Sequence, residues 1–184
     1  ADRIWVWNYD GSVDSIGIPY TPGEWTHIAL VHSGGGLSAY KNGQLVSSIT
    51  SGPTFVVSGQ RPHVGGMISN STSNWTFEGE IDELQVWNVA RSAAEIGLTF
   101  GGPLAGNEAG LAAYYRMSNG SGASLADDSG RGFTGTLRDG GTGVPADGPI
   151  QWVTPGAFGG IGNPDNTPPV AHAQSVATDE DAAV

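Results

Sequence analysis

The residues best placed to do chemistry stand together in Glu80-Ile81-Asp82-Glu83. On an extended strand alternate side chains share a face, so Asp82 goes with Leu84 and Val86, and Glu83 with Ile81, Gln85 and Trp87. If Leu84 and Val86 face a core, Asp82 points inward near a strand end. A carboxylate taken out of water needs a cation or hydrogen bonds in compensation. Calcium takes hard carboxylate and carbonyl oxygens and would satisfy it, with Glu80, Asp82 and Asp128 as candidate ligands. Backbone amides of a neighbouring loop would satisfy Asp82 as well. Asp127-Asp128-Ser129-Gly130 reads first as a turn whose carboxylates bond local amides, and Asp128 is the calcium candidate within it.

A second group lies in the polar stretch 69–76, Ser-Asn-Ser-Thr-Ser-Asn-Trp-Thr, read as a loop. Sugars are held by stacking on an aromatic face and by a few placed polar groups. Trp75 with Asn74 and Asn70 therefore makes a candidate ligand-binding set. The alternative is an indole that anchors the loop on the fold. Trp5, Trp7 and Tyr9 share one face of a strand and read as a buried sheet face, with an exposed platform as the other possibility. Trp25 and Trp87 read as core or as packing under a helix.

Other chemistries find no support. The four histidines are scattered, and no triple-His or His-Glu constellation suits a catalytic zinc. No Gly-x-Ser-x-Gly elbow stands between a strand and a helix, and the Gly-Gly pairs mark turns rather than a phosphate cradle. There is no cysteine, so disulfides and thiolate metal sites are excluded. The net charge of −11 argues against nucleic acid and against an anionic membrane surface, and it is compatible with divalent cations. No apolar run is long enough to cross a bilayer, so no membrane insertion is expected.

The elements that would position these residues are strands. Thirty glycines and only 14% charged residues in 184 suit short strands joined by tight turns. Residues 3–9, 25–31, 37–40, 44–50, 63–68, 77–87, 111–117, 132–137 and 150–153 read as strands, with 54–57 a further possibility. Asn42-Gly43 is a hairpin turn, because both positions of such a turn favour positive φ. Ser92-Ala93-Ala94-Glu95 is a capping box and predicts one short helix near 92–99, before Gly101-Gly102-Pro103. After Gly159 the composition shifts to an extended, proline-rich linker.

Three segments in this order resemble the bacterial laminin-G-like, concanavalin-A-like lectin family. They are Gly23-Glu-Trp-Thr-His-Ile-Ala-Leu-Val31 with Leu37-Ser-Ala-Tyr-Lys-Asn-Gly-Gln-Leu-Val46; Val64-Gly-Gly66 leading to Phe77-Glu-Gly-Glu-Ile-Asp-Glu-Leu-Gln-Val-Trp-Asn88 and Ala90-Arg-Ser-Ala-Ala-Glu-Ile96; and Gly110-Leu-Ala-Ala-Tyr-Tyr115 with Leu125-Ala-Asp-Asp-Ser-Gly130. The resemblance implies an all-β fold, an antiparallel β-sandwich (jelly roll, concanavalin-A-like), over residues 1–160. It also implies that strands normally preceding Trp25 are missing or supplied elsewhere. Asn166-Thr-Pro-Pro-Val-Ala with Thr178-Asp-Glu-Asp181 looks like a junction to a cadherin-like or immunoglobulin-like repeat of large bacterial surface proteins, which makes 161–184 a linker and the start of a next repeat.

The expected role is a calcium-assisted carbohydrate-binding or adhesion module of a secreted or cell-surface protein. Its partners would be a glycan and neighbouring repeat domains of the same protein. A structural spacer rigidified by calcium is the alternative, and a glycoside hydrolase the second. Hydrolases of a similar jelly roll carry Glu-x-Asp-x-Glu on one strand face, and retaining chemistry needs two carboxyl groups roughly 5 Å apart. Glu80 and Asp82 fill two of those places, but Leu84 stands at the third and Glu83 points the other way, so no enzyme is expected.

Overall fold

A computed structural model describes residues 3–7, 15–50, 64–67, 75–77, 79–137 and 152. The strand readings 54–57 and 150–153, except for Trp152, lie outside these residues, as do the linker and all that follows it. Across the described residues the chain is mostly antiparallel β-structure with one short helix.

β1 (Arg3–Trp7) pairs with β2 (Ser15–Pro19), with Val6 opposite Ile16 and Trp5 opposite Gly17. Alternation divides the hairpin cleanly. Ile16 and Ile18 are buried at 1% and 0% exposure, and Val6 packs with them. β2 is absent from the strands read above; Gly17 and Pro19 interrupt its short alternating pattern, and both residues demote a strand on sequence grounds.

β3 (Ile28–Ser33), β4 (Gly36–Lys41) and β5 (Gln44–Ile49) form a three-stranded meander. Its inward residues Leu37 and Ala39, with Ile28 and Ile49, join Ile16 and Ile18 in one core cluster. The Asn42-Gly43 turn forms as expected, with φ of 48° and 77°. The Asn42 amide donates to the His27 carbonyl at 2.9 Å, while the His27 amide donates to Asn42 Oδ1 at 2.9 Å. The turn therefore also fixes the entry to β3. The β4–β5 register slips between Ala39 and Tyr40.

β6 (Gly66–Met67) pairs with β7 (Trp75–Thr76), so the backbone at Trp75 belongs to a short ladder and not to a loop. β8 (Leu84–Trp87) pairs with β9 (Leu111–Tyr115). The long strand expected over 77–87 is thus confined to its last four residues. Glu83 adopts φ of 55°, which ends the alternation one residue before the strand begins. Trp87 packs on Leu104, Leu111 and Tyr114, in keeping with its core reading, while Val86, taken above as a possible core residue, is 46% exposed. β10 (Ser124–Leu125) and β11 (Gly135–Thr136) form a last short pair.

The helix α1 (Ala93–Thr99) follows the sequence reading closely. The Glu95 amide donates to Ser92 Oγ at 3.3 Å, and the Ser92 amide donates to Glu95 Oε2 at 2.8 Å. Ile96 is the buried residue of the helix. Phe100, its C-cap, stacks obliquely on His27 at 5.6 Å between ring centroids. A side chain at Gly43 would meet the Phe100 ring at 3.2 Å, so this glycine lets the β4–β5 turn and the helix end approach.

Candidate functional site

On β3, β4 and β5 the side chains turned away from the core mix hydroxyls with Val31 and the Tyr40 ring. Val31 faces Ser38 across one pairing and Ser38 faces Ser48 across the next. With Ser33, Tyr40 and Thr50 they floor an open cleft of about 610 Å³. The segment entering α1 supplies one wall, through Ala90, Arg91, Ser92 and Glu95.

That wall is held by the capping box. Glu95 Oε2 accepts from both the amide and the hydroxyl of Ser92, the latter at 2.7 Å, and Oε1 stands 3.3 Å from Arg91 Nη1. The Ser92 hydroxyl, then its amide, then the Arg91 charge hold the Glu95 carboxyl below the usual range against a smaller desolvation effect. The Arg91 guanidinium in turn lies 4.1 Å from the centroid of the Trp87 ring. The cleft therefore offers a fixed anionic acceptor, a planar cationic donor, several hydroxyls and one phenol ring. Groups of these kinds hydrogen-bond and stack on a neutral polyhydroxylated ligand. Among the described residues of the lining, Glu95 is the one carboxylate.

The residues singled out in the sequence are dispersed. Glu80 is exposed. Asp82 is half-buried, and its Oδ1 accepts from the Glu83 amide at 3.0 Å. Asp128 is exposed and its Oδ2 lies 3.4 Å from the Arg116 amide. Among the described residues no group of three His, Asp or Glu side chains could hold a metal ion. Asn70 and Asn74 lie outside the described residues, and Trp75 is placed by its backbone in β7.

Glu83 is half-buried, and its carboxylate turns toward the buried Tyr114. Its Oε2 accepts from the Tyr114 hydroxyl, which itself accepts from the Leu104 amide at 3.0 Å. Burial raises the Glu83 carboxyl to about 7; the Tyr114 bond and Arg116 work against that rise, and Asp82 and Asp128 add to it. Burial, and then the bond to Glu83, push the Tyr114 phenol well above its ordinary value. Arg116 closes the group, donating to the Leu104 carbonyl at 2.7 Å with its guanidinium 5.3 Å from the Tyr114 ring centroid. Alternation alone pointed to Asp82. The positive φ at Glu83 and a partner 31 residues away carry no local sequence signal.

Asp127 takes the local-turn role expected of its stretch through Ser129, and it also ties that turn to Tyr114 of β9. Oδ1 accepts from the Tyr114 amide at 3.0 Å, the Ser129 amide at 3.0 Å and Ser129 Oγ at 2.6 Å, while Oδ2 accepts from the Phe133 amide at 2.9 Å. Desolvation opposes its ionisation, but the Ser129 hydroxyl and these three amides outweigh it and hold the carboxyl far below the carboxylate range.

Comparison with known proteins agrees with this architecture. Residues 2–97 match the model of the Concanavalin A-like lectin/glucanases superfamily, and the chain belongs to that family. Over 79 residues it is 34% identical to mouse (Mus musculus) Pappalysin-1, a stretch covering 42% of this chain and 5% of that protein. A solved structure of a provisionally assigned carbohydrate-binding protein from Bacteroides ovatus shares the fold at a TM-score of 0.59 and 23% identity, over 71% of this chain and 38% of that one. The chain thus spans well under half the length of either protein.

Proposed function

We propose that this chain is a non-catalytic carbohydrate-binding domain that holds a neutral saccharide in the cleft above β3, β4 and β5. The observation that carries the reading is the hydroxyl-rich sheet face of Ser33, Ser38, Tyr40, Ser48 and Thr50 beside the locked Arg91–Glu95 pair. Family membership and the carbohydrate-binding description of the Bacteroides ovatus protein support it. Neutral ligands are favoured because the pair in the wall is internally compensated and the net charge of −11 repels polyanions at a distance. Among the described lining residues Glu95 is the one carboxylate, and hydrolysis of this kind uses two, which is the support for reading the cleft as a binding site.

The wider setting belongs to the same proposal. We read the chain as part of an extracellular or surface protein, joined to neighbouring repeats through 161–184. No helix among the described residues is long and apolar enough to cross a membrane. Calcium assistance is proposed on the acidity of the chain and on Glu80, Asp82 and Asp128; the described residues do not gather a site by themselves, and the cleft chemistry is independent of an ion.

A glycan array read with and without a chelator tests the reading. Binding to neutral glycans that falls about tenfold in Tyr40→Ala and in Arg91→Ala, with folding retained, is the expected result. No binding to any glycan would leave the structural spacer. Loss of binding in Trp75→Ala, with Tyr40→Ala unaffected, would move the contact to the Trp75, Asn74 and Asn70 set.

A further inference from the structure

Asn42-Gly43 and Asn119-Gly120 are the two Asn-Gly pairs of the sequence. In such a pair the glycine amide nitrogen can attack the asparagine side-chain carbonyl, because no Cβ stands in its path. The attack is intramolecular, so its rate depends on whether the fold lets the two atoms approach.

The two pairs are held differently. Asn42 is tied twice to one residue: its amide donates to the His27 carbonyl and its Oδ1 accepts from the His27 amide, both at 2.9 Å. Gly43 is buried, and a Cβ there would stand 3.2 Å from the Phe100 ring and 3.3 Å from Gly97 Cα. Bringing the Asn42 side chain onto the Gly43 nitrogen would strain the His27 bonds and press a buried turn against the end of α1. Asn119 and Gly120 are both exposed and lie between β9 and β10, in no strand. Gly120 has φ of 68°, and nothing lies within 4 Å of where its Cβ would stand. The Asn119 Oδ1 accepts from the Ala126 amide at 3.2 Å. That bond draws electron density from the side-chain carbonyl carbon, which favours attack there, and it does not engage the nitrogen that must leave.

We infer that Asn119 is a modification site at which the folded chain deamidates itself, with water as co-reactant, while the fold protects Asn42. The Gly120 nitrogen forms a bond to Asn119 Cγ as the Cγ–Nδ2 bond breaks. The Gly120 amide proton passes through solvent to the departing nitrogen, which leaves as ammonia. Water then opens the cyclic imide at either carbonyl. One opening gives aspartate; the other gives isoaspartate, whose backbone runs through the former side chain. Either product adds a negative charge to a chain already at −11. It places that charge in the connection that leads to Asp127 and its hydrogen bonds to Tyr114 and Phe133. The inference is independent of the carbohydrate-binding reading.

Ageing the full chain in mildly alkaline buffer, folded and in urea, tests it. Trypsin releases Asn119 on Met117–Arg131, which holds no other asparagine. Fragmentation mass spectrometry locates the amide-to-acid mass gain there and at Asn42, with unaged chain as the background for digestion. In the folded chain the gain at Asn119 should be at least about tenfold faster than at Asn42, with part of the product as isoaspartate. In urea the two rates should converge, because both pairs then have the same local chemistry. Equal rates in the folded chain, or a faster rate at Asn42, overturn the inference. So does a preference for Asn119 that persists unchanged in urea, which would make the fold irrelevant to it.

Discussion

Glu83 shows how one backbone angle redirects chemistry. With φ of 55° it breaks the two-residue period just before β8, so its carboxyl, and not that of Asp82, meets Tyr114. The energetic consequence is pH-dependent. A carboxyl raised to about 7 in the folded chain binds its proton more tightly there than in the unfolded chain, where it titrates near 4.5. Its stabilisation is complete below the unfolded value and is lost as pH rises through about 7. Glu83→Gln keeps an acceptor for Tyr114 but removes the titration. We expect the native chain to lose stability between pH 5 and pH 8 more steeply than this variant. The variant should be more stable at pH 8 by about 1 kcal/mol, a figure reduced for solvent screening of a partly exposed group. Urea titrations at both pH values check it; parallel pH profiles would remove Glu83 from the account.

Elements differ in how locally they are encoded. The helix is read almost to the residue, because a capping box is a contract between residues three apart and needs nothing from the rest of the fold. The Asn42-Gly43 turn is equally local. Strand β2 was missed and β8 was over-extended because pairing partners set strand limits. β2 is justified by Ile16 and Ile18 meeting Leu37 and Ala39, residues about twenty positions away. The capping box also has a functional arm, since the same Glu95 carboxylate holds Ser92 and pairs with Arg91 in the cleft wall. Ser92→Ala should therefore cost about 1 kcal/mol of stability and weaken glycan binding at the same time. Thermal melting with binding to the best array glycan separates the two effects. A variant that melts early yet binds normally would show that the wall does not depend on the cap.

At the scale of the molecule, two core clusters organise the described fold. One ties the β1–β2 hairpin to the β3–β5 meander, and the other ties β8 and β9 to Leu104. The meander is two-faced in consequence: Leu37 and Ala39 look inward while Ser38, Tyr40 and Ser48 floor the cleft. A cation bound only by the folded chain stabilises by mass action, by about 2.7 kcal/mol at a hundredfold excess over its dissociation constant. The calcium proposal thus predicts a melting midpoint that falls several degrees on chelation and returns when calcium, but not magnesium, is restored. A midpoint indifferent to chelator ends that proposal and leaves the cleft reading intact.

The all-β class, the hairpin turn, the capped helix, the local hydrogen-bonding role of Asp127 and the family itself were legible in the residues, because each depends on neighbours in the chain or on a pattern repeated along it. The cleft was not, since Ser38, Ser48, Arg91 and Glu95 become one surface only when three strands and a helix entry are brought together. Nor was the exposure of Trp5, because alternation says which side chains share a face but not which face finds a core to cover it. Periodicity is a property of the chain; burial is a property of what the chain meets.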